Sequence, residues 1–141
     1  MVVLDTDHIS LLDHGNSDAA RRLQARLDEL AAGEAVATII SFEEQTRGWT
    51  AYLAKARSLA QQVEAYGRLK GHLQSYCSIP VIEFDAKAAT EFPRLKHSSI
   101  RLGTMDLKIA AIALARGATL LTRNMTDFRK VPGLVLEDWS A

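Results

Sequence analysis

Val2-Val3-Leu4-Asp5-Thr6-Asp7 opens the chain. Three apolar residues in a row form a short strand buried on both faces, and the strand ends in a carboxylate. Three later stretches repeat this placing of an acid beside apolar structure. They are Thr38-Ile39-Ile40-Ser41-Phe42-Glu43-Glu44, Gly103-Thr104-Met105-Asp106-Leu107 and Leu120-Leu121-Thr122-Arg123-Asn124-Met125-Thr126-Asp127. In an open α/β sheet, ligands bind outside the C-terminal ends of the strands, where strand order reverses. Four such segments can therefore bring four carboxylates around one point.

Between these stretches, strands alternate with helices. The pattern predicts strands at Val2–Leu4, Val36–Ile40, Val81–Phe84, Ala118–Thr122 and Leu134–Leu136. Thr6 or Asp7 caps a helix running to Asp13, and Ser17 caps the next, which Gly33 stops. Ser41 followed by Glu44 fits a capping box. The longest periodic segment runs from Thr50 to Tyr76 as one helix or a helix pair, with Gly67 and Gly71 as the candidate interruptions. Its regular aromatic and aliphatic stripe reads as core or as a self-association surface. Asp85 caps a helix ended by Pro93, Arg94 to Arg101 reads as a basic loop, and Thr104 caps a helix that Gly117 ends. The fold class is α/β: a three-layer α/β/α sandwich around a mostly parallel five-stranded sheet.

A chain of 141 residues fits one domain over residues 1–141. The net charge of zero leaves nucleic-acid binding to a local basic patch rather than to bulk charge. A single cysteine, Cys77, forms no internal disulfide, and it reads as buried or incidental rather than nucleophilic. With no apolar run of membrane-spanning length and no leader pattern, the expectation is a cytoplasmic protein without a membrane partner.

Each acid has a plain structural reading. Asp5 could cap the first helix, though Thr6 and Asp7 are available for that, and Asp7 is the better candidate. Glu44 could be half of a capping box, and Glu43 is its neighbour on another face. Asp106 lies in the first turn of its helix, where the amide ends favour negative charge, yet it shares a face with Ile109, Ala110 and Ala113. Asn124 could cap a short turn while Asp127 faces inward. Together the acids demand more, because clustered anions repel unless a cation sits among them. Oxygen ligands without cysteine or paired histidine select Mg²⁺ or Mn²⁺. Such an ion, activating water and stabilising the leaving oxygen, is a common route to phosphodiester cleavage. His8 lies beside the site as either a structural or a substrate-orienting group.

No serine or cysteine triad, dinucleotide fingerprint or Walker motif is present. Asp5-Thr6-Asp7 resembles the Asp-x-Asp opening of haloacid-dehalogenase-like phosphatases, but the later lysine and acid pair of those enzymes are missing. A phospho-receiver domain fails for the same reason.

The pattern resembles the PIN domain, and within it the VapC toxins of bacterial type II toxin–antitoxin pairs. The resemblance rests on Leu4-Asp5-Thr6-Asp7, on Thr38 through Gly48, on Ile100 through Ala111, and on Leu121 through Asp127-Phe128 to Trp139. It implies Asp5, Glu44, Asp106 and Asp127 as the acidic, metal-holding quartet, with Asn124 beside the fourth acid holding a water or a loop. Glu44 with Gly48 four residues on selects Glu44 over Glu43, and Gln45 stands where many members carry Leu. The resemblance further implies a Mg²⁺- or Mn²⁺-dependent endoribonuclease that cuts structured RNA such as tRNA or rRNA and so stops translation. A homodimer and a cognate antitoxin are the implied protein partners. Arg47, Arg94, Lys96, Arg101 and Arg123 are candidates to hold the RNA backbone, the stretch from Arg94 to Arg101 first among them. A binding module that leaves its target uncut and a small-molecule phosphatase are the competing readings.

Overall fold

The computed structural model describes residues 1–141. In chain order the elements are β1 (Val2–Leu4), α1 (Thr6–His14), α2 (Asp18–Leu27), β2 (Ala35–Thr38), α3 (Ile39–Ala54), α4 (Leu59–Cys77), β3 (Val81–Ile82), α5 (Ala86–His97), α6 (Thr104–Arg116), β4 (Thr119–Leu121), α7 (Met125–Phe128) and β5 (Val135–Glu137). The five strands lie in the order β3-β2-β1-β4-β5, and every pairing is parallel. The chain therefore builds outward from β1 on one side and then crosses back to build outward on the other. The reversal falls between β1 and β4, and the crevice beyond their C-terminal ends is where Asp5 and Thr122 emerge.

Side chains alternate across the pleat, and this splits the core in two. Val3, Val36 and Leu120 face a layer with Ile40, Leu95, Leu107, Ile109, Ile112 and Phe128. Val2, Leu4, Ala37 and Leu121 face the other way, toward Ile9, Leu23, Tyr76 and Trp139. The result is the α/β/α sandwich expected from the alternation of strands and helices. Val3, Leu4, Leu120 and Leu121 are fully buried, and each contributes about 1.5–3 kcal/mol of apolar burial.

Several boundaries differ from the sequence pattern for local reasons. β2 ends at Thr38, whose hydroxyl accepts the Ser41 N–H at 3.1 Å and starts α3 at Ile39, so the Ser41–Glu44 capping box does not form. The periodic segment from Thr50 to Tyr76 is a helix pair. It breaks not at Gly67 or Gly71 but before Ser58, which caps α4 by accepting the Gln61 N–H. Pro93 lies inside α5, which runs on to His97 because Leu95 is buried in the core. Residues 94–97 are thus helical rather than loop. Gly103, without a side-chain bond, stands at the cap position assigned to Thr104. Helix α2 ends at Leu27, ahead of Gly33, whereas Gly117, at φ 59°, ends α6 as expected.

Candidate active site

Asp5 leaves β1 and begins α1. Its carboxylate accepts the Thr6 N–H at 2.8 Å and the Thr122 hydroxyl at 2.8 Å. The first of these bonds caps α1, the role the sequence assigned to Thr6 or Asp7. Asp7 has a different task. Its Oδ2 accepts the Arg123 N–H at 2.9 Å and lies 3.3 Å from the Thr122 hydroxyl, and its Oδ1 meets His8 Nδ1 at 2.9 Å. The Trp139 N–H donates to His8 Nε2 at 3.3 Å. A backbone N–H can only donate, so Nε2 is the acceptor and Nδ1 carries the proton. His8 is fully buried and ties β1 to the C-terminal segment; it is structural.

Glu44 sits in the second turn of α3 and accepts the Thr6 hydroxyl at 2.9 Å. Glu43 turns outward to Arg47 at 2.7 Å. Asp127, in the short helix α7, accepts the Asn124 side-chain amide at 3.1 Å and lies 3.3 Å from Lys130 Nζ. Asn124 also donates its N–H to the Thr122 hydroxyl at 3.0 Å, so it links the fourth acid to the group that holds the first. Asp106 projects from the first turn of α6.

The acids are near enough to act on one another's charge. Burial pushes the Asp5 carboxyl up to about 7, the Asp7 and Asp106 charges add to the rise, and the bonds from Thr122 and Thr6 oppose it. Asp106 is raised by burial and then by Glu44, Asp127 and Asp7, and no donor or cation compensates it. Asp127 is held below the usual range by the bond from Asn124 and then by Lys130. Asp5, Glu44 and Asp127 each have a donor; Asp106 has only repulsion.

No three His, Cys, Asp or Glu side chains stand close enough to enclose an ion as they are arranged. The donor set is nevertheless that of a hard divalent cation, with carboxylate oxygens only and one acid wholly uncompensated. The site is also open, since Glu44, Asp106 and Asp127 are all partly exposed. The largest cavity, about 860 Å³, is elsewhere, between α1, α2 and α4, and none of the four acids lines it. Sequence reasoning gave Thr6 and Asp7 only a capping role and passed over Thr122 and Lys130. For Thr122 a signal existed: a hydroxyl directly after two buried leucines at the end of a central strand.

The all-parallel sheet, with helices on both faces and carboxylates at its switch point, places the chain in the doubly wound α/β class. The sequence pattern of the PIN domain matches residues 2–134, and the chain belongs to the PIN domain family. Over 65 residues it is 35% identical to ribonuclease VapC2 of Rickettsia felis, a match that covers 43% of this chain and 48% of that protein. Over 66 residues it is 38% identical to the tRNA(fMet)-specific endonuclease VapC of Shigella flexneri, covering 44% and 50%. The matched region thus spans about half the length of these curated relatives. Among solved structures, VapBC2 of Rickettsia felis bound to a promoter DNA fragment contains a chain of the same fold. Its TM-score is 0.72 at 24% identity, with 99% of each chain covered. FitAcB of Neisseria gonorrhoeae gives 0.70 at 22% identity over 99% and 98%.

Proposed function

We propose that this chain, read as one domain, is a Mg²⁺- or Mn²⁺-dependent endoribonuclease that cuts structured cellular RNA, tRNA or rRNA, and thereby inhibits translation. The observation that carries the reading is Asp106. It is a half-buried carboxylate with no donor, facing Glu44, Asp127 and Asp7 at the open end of the sheet. Asp5, Glu44, Asp106 and Asp127 would hold the ion. When bound, it supplies activation of water and charge neutralisation at phosphorus. The protein's own part is orientation. Thr122 aims Asp5, Thr6 aims Glu44, and Asn124 with Lys130 aims Asp127. An open crevice suits an internal bond of a polymer better than a small phosphate ester, which weighs against the phosphatase reading.

The names of the VapC relatives support the ribonuclease assignment, and the VapBC and FitAB complexes support an antitoxin partner for this chain. The outer face of α4 supports protein partners too: Leu59, Val63, Tyr66 and Leu73 are 78%, 74%, 55% and 56% exposed at helical spacing. A second copy, as a homodimer, and an antitoxin are the proposed occupants of such surfaces. No helix is long and apolar enough to cross a membrane; the proposed location is the cytoplasm, where the RNA substrate is.

The test is incubation of partner-free protein with total cellular RNA in Mn²⁺ or Mg²⁺, beside EDTA and Asp5→Asn controls, with cut ends mapped. Discrete internal cuts lost in both controls are the expected result. Cuts that persist in Asp5→Asn, or a protein that binds no divalent ion, would overturn the assignment.

A further inference from the structure

The five cations that the sequence offered for RNA are not equivalent in the fold. Arg47 is tied to Glu43 and Arg94 to Glu91 on their own helices. Arg123, just beyond the end of β4, stands apart from the others. Lys96 and Arg101 form no ion pair with any carboxylate, and neither does Lys108, which the sequence pattern did not single out. All three lie on the corner where α5 turns into α6, and two independent contacts bind that corner to the acid site. Lys96 Nζ lies 3.4 Å from the hydroxyl of Thr104, two residues before Asp106. Lys130 Nζ reaches the Arg101 carbonyl at 3.4 Å and Asp127 at 3.3 Å.

The Lys96 and Lys108 ammonium groups also share one aromatic ring, lying 5.7 Å and 5.9 Å from the centroid of Phe92. The ring attracts each of them, and with no carboxylate partner both ammonium groups are left to meet a phosphate of the backbone. Lys108 and Thr104 lie one turn apart on α6, while Asp106 is on nearly the opposite face. The cations and the acids therefore flank α6 on opposite sides, about the 10 Å width of a helix apart.

Resting on the ribonuclease reading, we propose that Lys96, Arg101 and Lys108 form a phosphate track that holds the RNA backbone on one flank of the acid crevice. The track binds through charge alone and carries no base readout. It holds RNA whether or not an ion is present at the acids.

The test is fluorescence anisotropy of end-labelled, unfractionated tRNA in EDTA across a salt series, with metal-dependent cleavage assayed in parallel. The proteins are the wild type, the triple variant Lys96→Gln/Arg101→Gln/Lys108→Gln, and Arg21→Gln, whose guanidinium is paired with Asp18 on α2, as the neutralised-cation control. Thermal melts confirm that each is folded. Each lost phosphate contact lowers the log–log salt slope by about 0.7–0.9, so the triple variant should lose about two to three units and bind at least tenfold more weakly. Arg21→Gln should match the wild type. Equal slopes in the wild type and the triple variant, an equal loss in Arg21→Gln, or no binding by the wild type in EDTA would each overturn the track. So would preferential, slope-matched binding of polyglutamate over tRNA, which would assign the corner to an acidic protein. Corner-dependent binding without cleavage would leave the track standing and remove the nuclease; cleavage that ignores the corner would do the reverse.

Discussion

Thr122 donates its hydroxyl to Asp5 across 117 residues of sequence, at 2.8 Å and out of reach of solvent. It is the junction of the site, since the same oxygen receives the Asn124 N–H. A hydrogen bond to a buried charged group contributes about 1.5–3 kcal/mol. Thr122→Val should therefore destabilise the fold by about 1–3 kcal/mol in urea unfolding at pH 8, and should lower cleavage more than tenfold. Thr122→Ser should restore most of both. Full activity in the valine variant would remove Thr122 from the machinery.

The raised proton affinity of Asp5 predicts an unusual pH profile for metal-free protein. Its folded pKa is about 7 against an ordinary 3.8, so the folded chain binds the proton more tightly than the unfolded chain. Stability is then highest below about pH 4, falls as pH rises through the interval, and stays low above about pH 7. At about 1.4 kcal/mol per pKa unit, the loss is of the order of a few kcal/mol. Asp5→Asn should be more stable than the wild type at pH 8 and equal to it at pH 4. Parallel curves for the two proteins would contradict this.

Divalent ions should act most strongly where Asp5 is ionised. At pH 8, Mn²⁺ at about a hundred times its dissociation constant adds about 2.7 kcal/mol, which is several degrees in melting temperature for a chain of this size. Asp106→Asn should abolish most of the shift, and the wild-type shift should shrink as pH falls through about 7. A shift of equal size in Asp106→Asn would place the ion elsewhere.

Thr38 sets the start of α3 and hence the position of Glu44 in its second turn. Thr38→Ala should cost about 1–2 kcal/mol as a lost helix cap and reduce cleavage through displaced Glu44, with Thr38→Ser close to wild type. Circular dichroism melts and the cleavage assay read the two effects separately.

Most of this architecture could be read from the chain because its strands are unbroken apolar runs that end in acids. β1 and β4 needed no more than Val2-Val3-Leu4 and Leu120-Leu121 to be placed. The start of α3 was harder. Ile39 and Ile40 are β-branched and extend a strand by local preference, and only the bond from the Ser41 amide to Thr38 turns them into helix. The break before Ser58 was hidden because apolar spacing continues across it from Trp49 to Tyr66. Pro93 misled in the other direction: burial of Leu95 keeps α5 going past it. At the site, the acids announced themselves by interrupting apolar segments. The hydroxyls of Thr6 and Thr122 did not, because their partners lie 38 and 117 residues away, and no local pattern encodes such a pairing. Asp5 took the cap expected of Thr6 or Asp7 for a related reason, since the Arg123 amide that claims Asp7 comes from the far end of the chain.

The central place of β1 has a consequence for how this molecule comes into being. One of the strand's edges stays bare until residues 119–121, more than a hundred positions further along the chain, arrive to pair with it. Contacts this distant in sequence form late, and Asp5, Thr122 and Asp127 meet only when they do. The carboxylates are thus assembled by the closing of the sheet itself, and any event that keeps β4 from docking leaves a chain with its helices in place and its acids apart.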